Sequence, residues 1–370
     1  MKLIGVFTIF LLSASYVKAQ LKFKAVEKSD AFGVHTVINE TTGNILPENL
    51  VPKSETIVQA VDNVLFTRSA DTKDPKGETL KKYELTNGRV TEVGSMPFLA
   101  YAELSFFQNG AFVLMESNEG GGMNMKLYSK ELLLLSTVTP YSEGYSGFFY
   151  HNNGNSIAIG VNRYKQDASK LISFSSKGEL IFEKPISVNG IVGKVLSSDN
   201  FFSVYSYNVN LRSLTLSVFD KIGTQLWSNP TDATIQKWSF VESSISTLVI
   251  GTSKLLSVYD ALKGDLISQK KLSDIYDDAH IGRSRSDGAF RIIDILPLKN
   301  DQVGVLLSEP INTTDATNNL LYIFKKTFAI QDQKIKINDT KGLLRMKSSQ
   351  KELLIIKDKE ILKYEYAFQE

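Results

Sequence analysis

Short runs of apolar, β-branched and aromatic residues recur along this chain, separated by polar or glycine-containing breaks, with a period of about 45 residues. The clearest unit spans Asn200 to Trp227. In it Phe201–Tyr207 is followed by Leu214–Phe219, by the turn Asp220–Lys221–Ile222–Gly223, and by Thr224–Trp227. The next unit repeats the plan with Thr247–Ile250, Leu255–Tyr259, the turn Asp260–Gly264 and Asp265–Ile267. A repeat of this length built only from short strands predicts an all-β chain folded as a β-propeller.

The second and third strands of each repeat stand out as pairs. They are Val61–Phe66 with Leu80–Leu85, Ala111–Glu116 with Met125–Tyr128, Ser156–Val161 with Leu171–Phe174, and Phe201–Tyr207 with Leu214–Phe219. Thr247–Ile250 with Leu255–Tyr259, Val303–Leu307 with Leu320–Phe324, and Leu353–Ile356 with Ile361–Tyr366 complete the set. An apolar strand precedes six of them: Ala100–Phe107, Gly147–Tyr150, Ile191–Leu196, Lys237–Val241, Phe290–Leu296 and Gly342–Met346, with Ile57–Ala60 serving the first. The expectation is a seven-bladed propeller. Too little chain follows Tyr366 for a further strand, so an N-terminal strand, Phe32–Ile38 or a neighbour, is expected to complete the last blade and remove its open edge. The alternative is eight blades, with Phe32–Leu46 belonging to another one.

The first nineteen residues read differently. Lys2, the apolar Leu3–Leu12 and the small-residue site at Val17–Lys18–Ala19 have the form of a signal peptide, with cleavage before Gln20. The apolar core is shorter than the roughly 20 residues that span a bilayer. The reading is a leader over 1–19, one propeller domain over 20–370, no membrane anchor, and a periplasmic or extracellular monomer. Of 42 Lys and Arg against 40 Asp and Glu, Lys2 and Lys18 fall in the leader, so the charges balance in the remainder. That balance argues against a nucleic-acid binder, which needs a basic surplus on one face. The chain has no Cys, which removes disulfides, thiolate chemistry and Cys-ligated metals.

Two glycine turns carry a family resemblance. Val218–Phe219–Asp220 leading through Gly223 to Leu226–Trp227, and Val258–Tyr259–Asp260 leading through Gly264 to Leu266–Ile267, resemble the quinoprotein-like (PQQ-like) repeat, and Ser173–Phe182 is a fainter copy. The likeness implies the propeller fold. Enzymes of that family bind pyrroloquinoline quinone beneath a tryptophan-rich ring and many use adjacent cysteines; this chain has two Trp and no Cys, so no cofactor is expected.

If strands alternate direction, the second-to-third and fourth-to-first connections share one face. They include the longer stretches Ser69–Thr79, Ser117–Asn124, Asn162–Lys170, Ser308–Asn319 and Ser273–Ala289. Long loops on a rigid scaffold are where binding concentrates. Ser273–Arg291 gathers Asp274, Asp277, Asp278, His280, Arg283, Arg285, Asp287 and Arg291, which suit an anionic ligand or a cation, although mixed charge of this kind is more often a solvated loop with its own ion pairs. Tyr101, Tyr141, Tyr145 and Trp238 fall near inner-strand starts, where they either ring the channel mouth for stacking or pack between blades. His35, His151 and His280 sit on different repeats, so no metal site is expected. No catalytic residues can be assigned. The functional expectation is an exported scaffold holding a protein, peptide or glycan on the long-loop face; the alternative is a hydrolase or lyase acting on carbohydrate or lactone with paired carboxylates at the mouth.

Overall fold

A computed structural model describes residues 20–28, 37–39, 45–46, 50–70, 77–87, 89–100, 102–107, 109–117, 121–143, 145–152, 155–162, 169–175, 180–186, 188, 191–198, 200–208, 212–231, 234–242, 245–278, 290–298, 301–308, 317–325, 333–340, 344–348, 352–357 and 360–367. Strand β1 (Gln20–Lys28) and the short hairpin β2 (Val37–Ile38) and β3 (Ile45–Leu46) come first. Six antiparallel four-stranded blades follow, each from four consecutive strands. They are β4 (Glu55–Val61), β5 (Val64–Ala70), β6 (Gly77–Thr86) and β7 (Arg89–Leu99); β8 (Glu103–Phe106), β9 (Phe112–Ser117), β10 (Gly121–Tyr128) and β11 (Leu134–Glu143); β12 (Tyr145–Asn152), β13 (Asn155–Asn162), β14 (Ser169–Ser175) and β15 (Leu180–Ile186). Next are β16 (Ile191–Ser197), β17 (Phe201–Asn208), β18 (Ser213–Asp220) and β19 (Gln225–Thr231); β20 (Lys237–Val241), β21 (Thr247–Gly251), β22 (Leu255–Asp260) and β23 (Leu266–Lys271); then, after helix α1 (Leu272–Asp278), β24 (Arg291–Pro297), β25 (Gln302–Ser308), β26 (Thr317–Lys325) and β27 (Gln333–Thr340).

The remaining strands β28 (Arg345–Ser348), β29 (Glu352–Lys357) and β30 (Glu360–Ala367) form a four-stranded sheet with β1 as its outer strand. In place of the expected seven blades there are six, each from four consecutive strands; the last strand pair has no fourth strand of its own and instead joins β1 in a composite sheet built from both chain ends. The completing strand is Gln20–Lys28, with Gln20 opposite Ala367 and Lys28 opposite Glu360, and not Phe32–Ile38. Within Phe32–Leu46 the described strands make only the hairpin β2–β3, so the eight-blade alternative finds no further four-stranded sheet among the described residues. Lys24 on β1 pairs with Glu352 at 2.5 Å.

First strands of successive sheets touch one another from β8 through β28, which identifies them as the inner strands around the propeller axis. The core lies in layers between the sheets. On β25 the alternation is plain: Val303, Val305 and Leu307 pack toward Val249 and Val258 of the preceding blade, together with Ile292 of their own. Leu306 packs the other way, with Leu353 and Ile355 of the composite sheet. Both faces are buried, so such strands read as continuous apolar runs rather than alternating ones.

The glycine turns explain the repeat. Asp220 Oδ1 accepts the amide protons of Ile222 at 3.0 Å and Thr224 at 2.7 Å, while Gly223 closes the turn at φ 77°. Asp260 does the same for Leu262 and Lys263, with Gly264 at φ 77°. Such positive φ is strained for any residue but glycine. Trp227 then reaches across the blade boundary: its indole N–H donates to Ala261 O at 2.8 Å, and its ring covers Gly264 so closely that a Cβ there would sit 2.8 Å from Cδ2.

Several local expectations change. The expected strand Val61–Phe66 contains a turn at Asp62–Asn63, where Asp62 takes φ 52°. Gly121 and Gly122, expected in a loop, belong to β10. Part of the longest expected loop is helix α1, because Leu272, Ile275 and Tyr276 lie at helical spacing and all three are buried.

Candidate functional site

Within each blade the strands alternate direction, so the starts of all inner strands lie on the face that carries the second-to-third and fourth-to-first connections. At the fifth and sixth blades this rim is held by one side chain. Gln236, just before β20, donates from Nε2 to Phe290 O at 2.9 Å and accepts the Ile292 N–H on Oε1 at 2.7 Å. Its backbone N–H meanwhile bonds Gly251 O at 2.9 Å. The amide therefore acts as an extra strand residue on the axial edge of β24. Close approach is possible because Gly251 has no side chain: a Cβ there would collide with Ile292.

The same logic recurs at other boundaries. Asp294 accepts the N–H of Ile295 at 2.9 Å and that of Met346 on the neighbouring inner strand β28. Burial pushes its carboxyl above the usual range, against the pull of nearby Lys237 and of those two donors. Asp294 follows a β-bulge between Ile292 and Asp294, and β4 and β16 carry equivalent inner-strand bulges at Ile57/Gln59 and Val192/Lys194. Bulges re-aim side chains next to sites. Arg68 of the first blade donates to Ala100 O at 2.8 Å, just before β8, pairs with Glu78, and lies 5.3 Å over the Phe98 ring. Glu242 binds Asn200 of the preceding blade at 2.7 and 3.0 Å.

Lys237 and Arg291, the first residues of β20 and β24, are exposed on this rim. Trp238 is half-buried: its indole N–H donates to Ser203 Oγ of the preceding blade at 2.9 Å, and its ring lies 6.3 Å from Tyr205. Tyr141 and Tyr145 lie on β11 and β12, and Asp278 ends α1. Tyr101, His280, Arg283, Arg285 and Asp287 lie outside the described residues. Of the ten residues singled out in the sequence, Arg291 and Trp238 are thus placed on one rim with their side chains described. Gln236, Lys237 and Asp294 were not singled out; their signal, a polar residue beside the start of an apolar inner strand, is too common to stand out.

A hydrolase of this kind needs paired carboxylates at the channel mouth. Glu55 and Glu103 begin β4 and β8. The Glu55 side chain is only 3 % exposed and accepts from Thr67 Oγ1 at 2.6 Å, Lys81 Nζ at 2.9 Å and Tyr83 OH at 2.9 Å. Burial opposes its ionisation, but these donors outweigh burial and hold it below the usual range. Tyr83, desolvated and donating to that carboxylate, is pushed up to about 12. Lys81, bonded to Glu55 and Glu92, is raised in turn. This is a satisfied structural network rather than an acid–base pair poised near neutrality. Among the described residues no cluster of three His, Cys, Asp or Glu side chains has metal-binding proximity.

No protein-family model matches the chain, and no curated protein matches it by sequence. Solved structures similar to it include the WD40 domain of SCAP from fission yeast, at 10% identity and TM-score 0.49, covering 95% of this chain and 98% of that one. A eukaryotic initiation factor aligns at 12% identity and TM-score 0.49 over 82% of this chain and 71% of its own. The β-propeller domain of the Trilobed protease from Pyrococcus furiosus aligns at 12% and 0.44 over 85% and 93%, and is described as having an open velcro topology. The likeness is to WD40 and β-propeller folds and is one of fold alone.

Proposed function

We propose that this chain is an exported propeller scaffold that holds a protein, peptide or glycan partner on the face where the inner strands begin. The observation that carries the reading is the Gln236 clamp on Phe290 and Ile292, which fixes the rim bearing Lys237 and Arg291 before any partner arrives. A surface ordered in advance loses little entropy on binding. The composite sheet, with β1 as its outer strand, ties the chain ends together. Export is supported by the leader-like sequence of residues 1–19. Among the described residues no helix is long and apolar enough to cross a membrane.

The test is cross-linking. Residues 20–370 are incubated with exported protein and glycan fractions, and captured partners are mapped with a lysine-reactive reagent. Cross-links at Lys237, Lys254 and Lys271 are expected, since these lie at or beside the proposed face. Cross-links confined to Lys221 and Lys263, on the turns of the opposite face, contradict the assignment.

A further inference from the structure

Three neighbouring inner strands open on a cation. Lys237 begins β20, Arg291 begins β24 and Arg345 begins β28, in register with Gly251, Ser308 and Ile356 of the adjacent strands. The inner strands β20 and β24 touch, as do β24 and β28, so the three positions form one continuous arc. The equivalent positions elsewhere are Glu55, Glu103, Tyr145 and Ile191. Among these seven inner-strand starts the three cations are therefore adjacent.

We propose that this arc is a binding site for an acidic peptide segment, held chiefly by Lys237 and Arg291. The proposal rests on the reading of this face as the binding face and names the chemistry of what it holds. Lys237 and Arg291 are both exposed, and the Gln236 clamp, which grips the residues either side of Arg291, fixes them beside each other. Asp294 is the acid facing Lys237, and its carboxylate is already taken by the Ile295 and Met346 amides. Asp294 offsets part of the Lys237 charge, but Lys237 is exposed to solvent beside the exposed Arg291, where an incoming carboxylate has access. Exposed, fixed charges of one sign steer a complementary partner and set specificity more than raw affinity.

A peptide is favoured over a glycan by Trp238. Sugar recognition relies on an open aromatic face, and Trp238, the aromatic nearest Lys237 in sequence, is half-buried with its indole N–H committed to Ser203. The balanced net charge outside the leader disfavours nucleic acid, for which a broad basic surface is needed.

Fluorescence anisotropy of residues 20–370 with a short labelled peptide of alternating Glu and Gly tests this, beside its Gln–Gly counterpart, an oligouronate and a single-stranded oligonucleotide. The expected result is binding of the Glu peptide, weaker with added salt, and no binding of the Gln peptide. Lys237→Glu with Arg291→Glu should weaken it about tenfold or more, while Lys221→Glu with Lys263→Glu leaves it unchanged. Urea midpoints confirm that both double variants are folded. Equal binding of the Gln peptide, preference for the oligouronate or oligonucleotide, or indifference to the rim double variant overturns the proposal. If acidic peptide fails to bind while cross-links still map to Lys237 and Lys254, only the acidic assignment falls; cross-links confined to the opposite face remove the binding-face reading as well.

Discussion

The side-chain amide of Gln236 is hydrogen-bonded to the backbone of Ile292 as a strand neighbour would be, accepting its N–H at 2.7 Å while donating to Phe290 O at 2.9 Å. One residue of the fifth blade thereby fixes the inner strand of the sixth. Gln236→Ala leaves a part-buried donor and acceptor unpaired and is expected to cost about 1–3 kcal/mol. Gln236→Glu keeps the acceptor but loses the donor to Phe290 and is expected to destabilise too. Urea midpoints at unchanged m-value measure both, and a shift below about 0.3 kcal/mol for the alanine variant would mean the clamp is replaced by water.

Trp227 and Gly264 supply a second boundary lock. Gly264→Ala places a methyl against the indole at a positive-φ position and is expected to cost about 2–4 kcal/mol. Trp227→Leu should relieve the steric part, so the double variant will be less destabilised than the two single changes added together. Additive losses would show that only the backbone strain matters.

The carboxyls of Glu55 and Asp294 should respond to pH in opposite directions. Glu55 has its folded pKa depressed, so its contribution is present above about 4.5 and is lost as pH falls through the lower folded value. Tyr83 has its pKa raised, so its contribution is present below 10 and is lost as pH rises toward about 12. Glu55→Gln should flatten the acid limb and weaken the alkaline one. Asp294 has its pKa raised, so its ionisation costs stability as pH rises through that value. Asp294→Asn keeps an acceptor for Met346 and should be neutral or stabilising at pH 7. Denaturation midpoints from pH 3 to pH 11 read all of these, and loss of stability in Asp294→Asn at pH 7 would show that the charge itself holds β24 to β28.

Strand β1 closes the composite sheet. Deleting Gln20–Lys28 bares the edge of β30 and removes the Lys24–Glu352 pair, so the shortened chain should melt lower and self-associate through that edge. An unchanged melting temperature, with a monomer by light scattering, would mean that β1 is dispensable.

Much of the fold was legible because buried strands carry their own signal. Lys237–Val241 has in the structure the bounds its apolar run predicts, and the Asp–Gly turns join the third and fourth strands of their blades, with Trp227 packing on Gly264 of the next blade. The misses have physical causes. Leu272, Ile275 and Tyr276 carried a helical spacing hidden among charged neighbours, and their burial against Phe290 comes from tertiary packing. β1 alternates as Leu21 and Phe23 between Gln20, Lys22 and Lys24, but its partner Glu360–Ala367 lies at the other end of the chain, where no local pattern points to it. The site was less legible still: Arg291 and Trp238 stood out by type, whereas Gln236 matters only because folding brings a backbone edge within its reach.

Hydrogen–deuterium exchange of residues 20–370, alone and with a captured partner, tests the binding face most directly. The account predicts added protection at Thr234–Val241 and Phe290–Pro297, around the Gln236 clamp, with the turns Lys221–Thr224 and Ala261–Asp265 unchanged. Protection gained only at those turns would place the partner on the opposite face and contradict it.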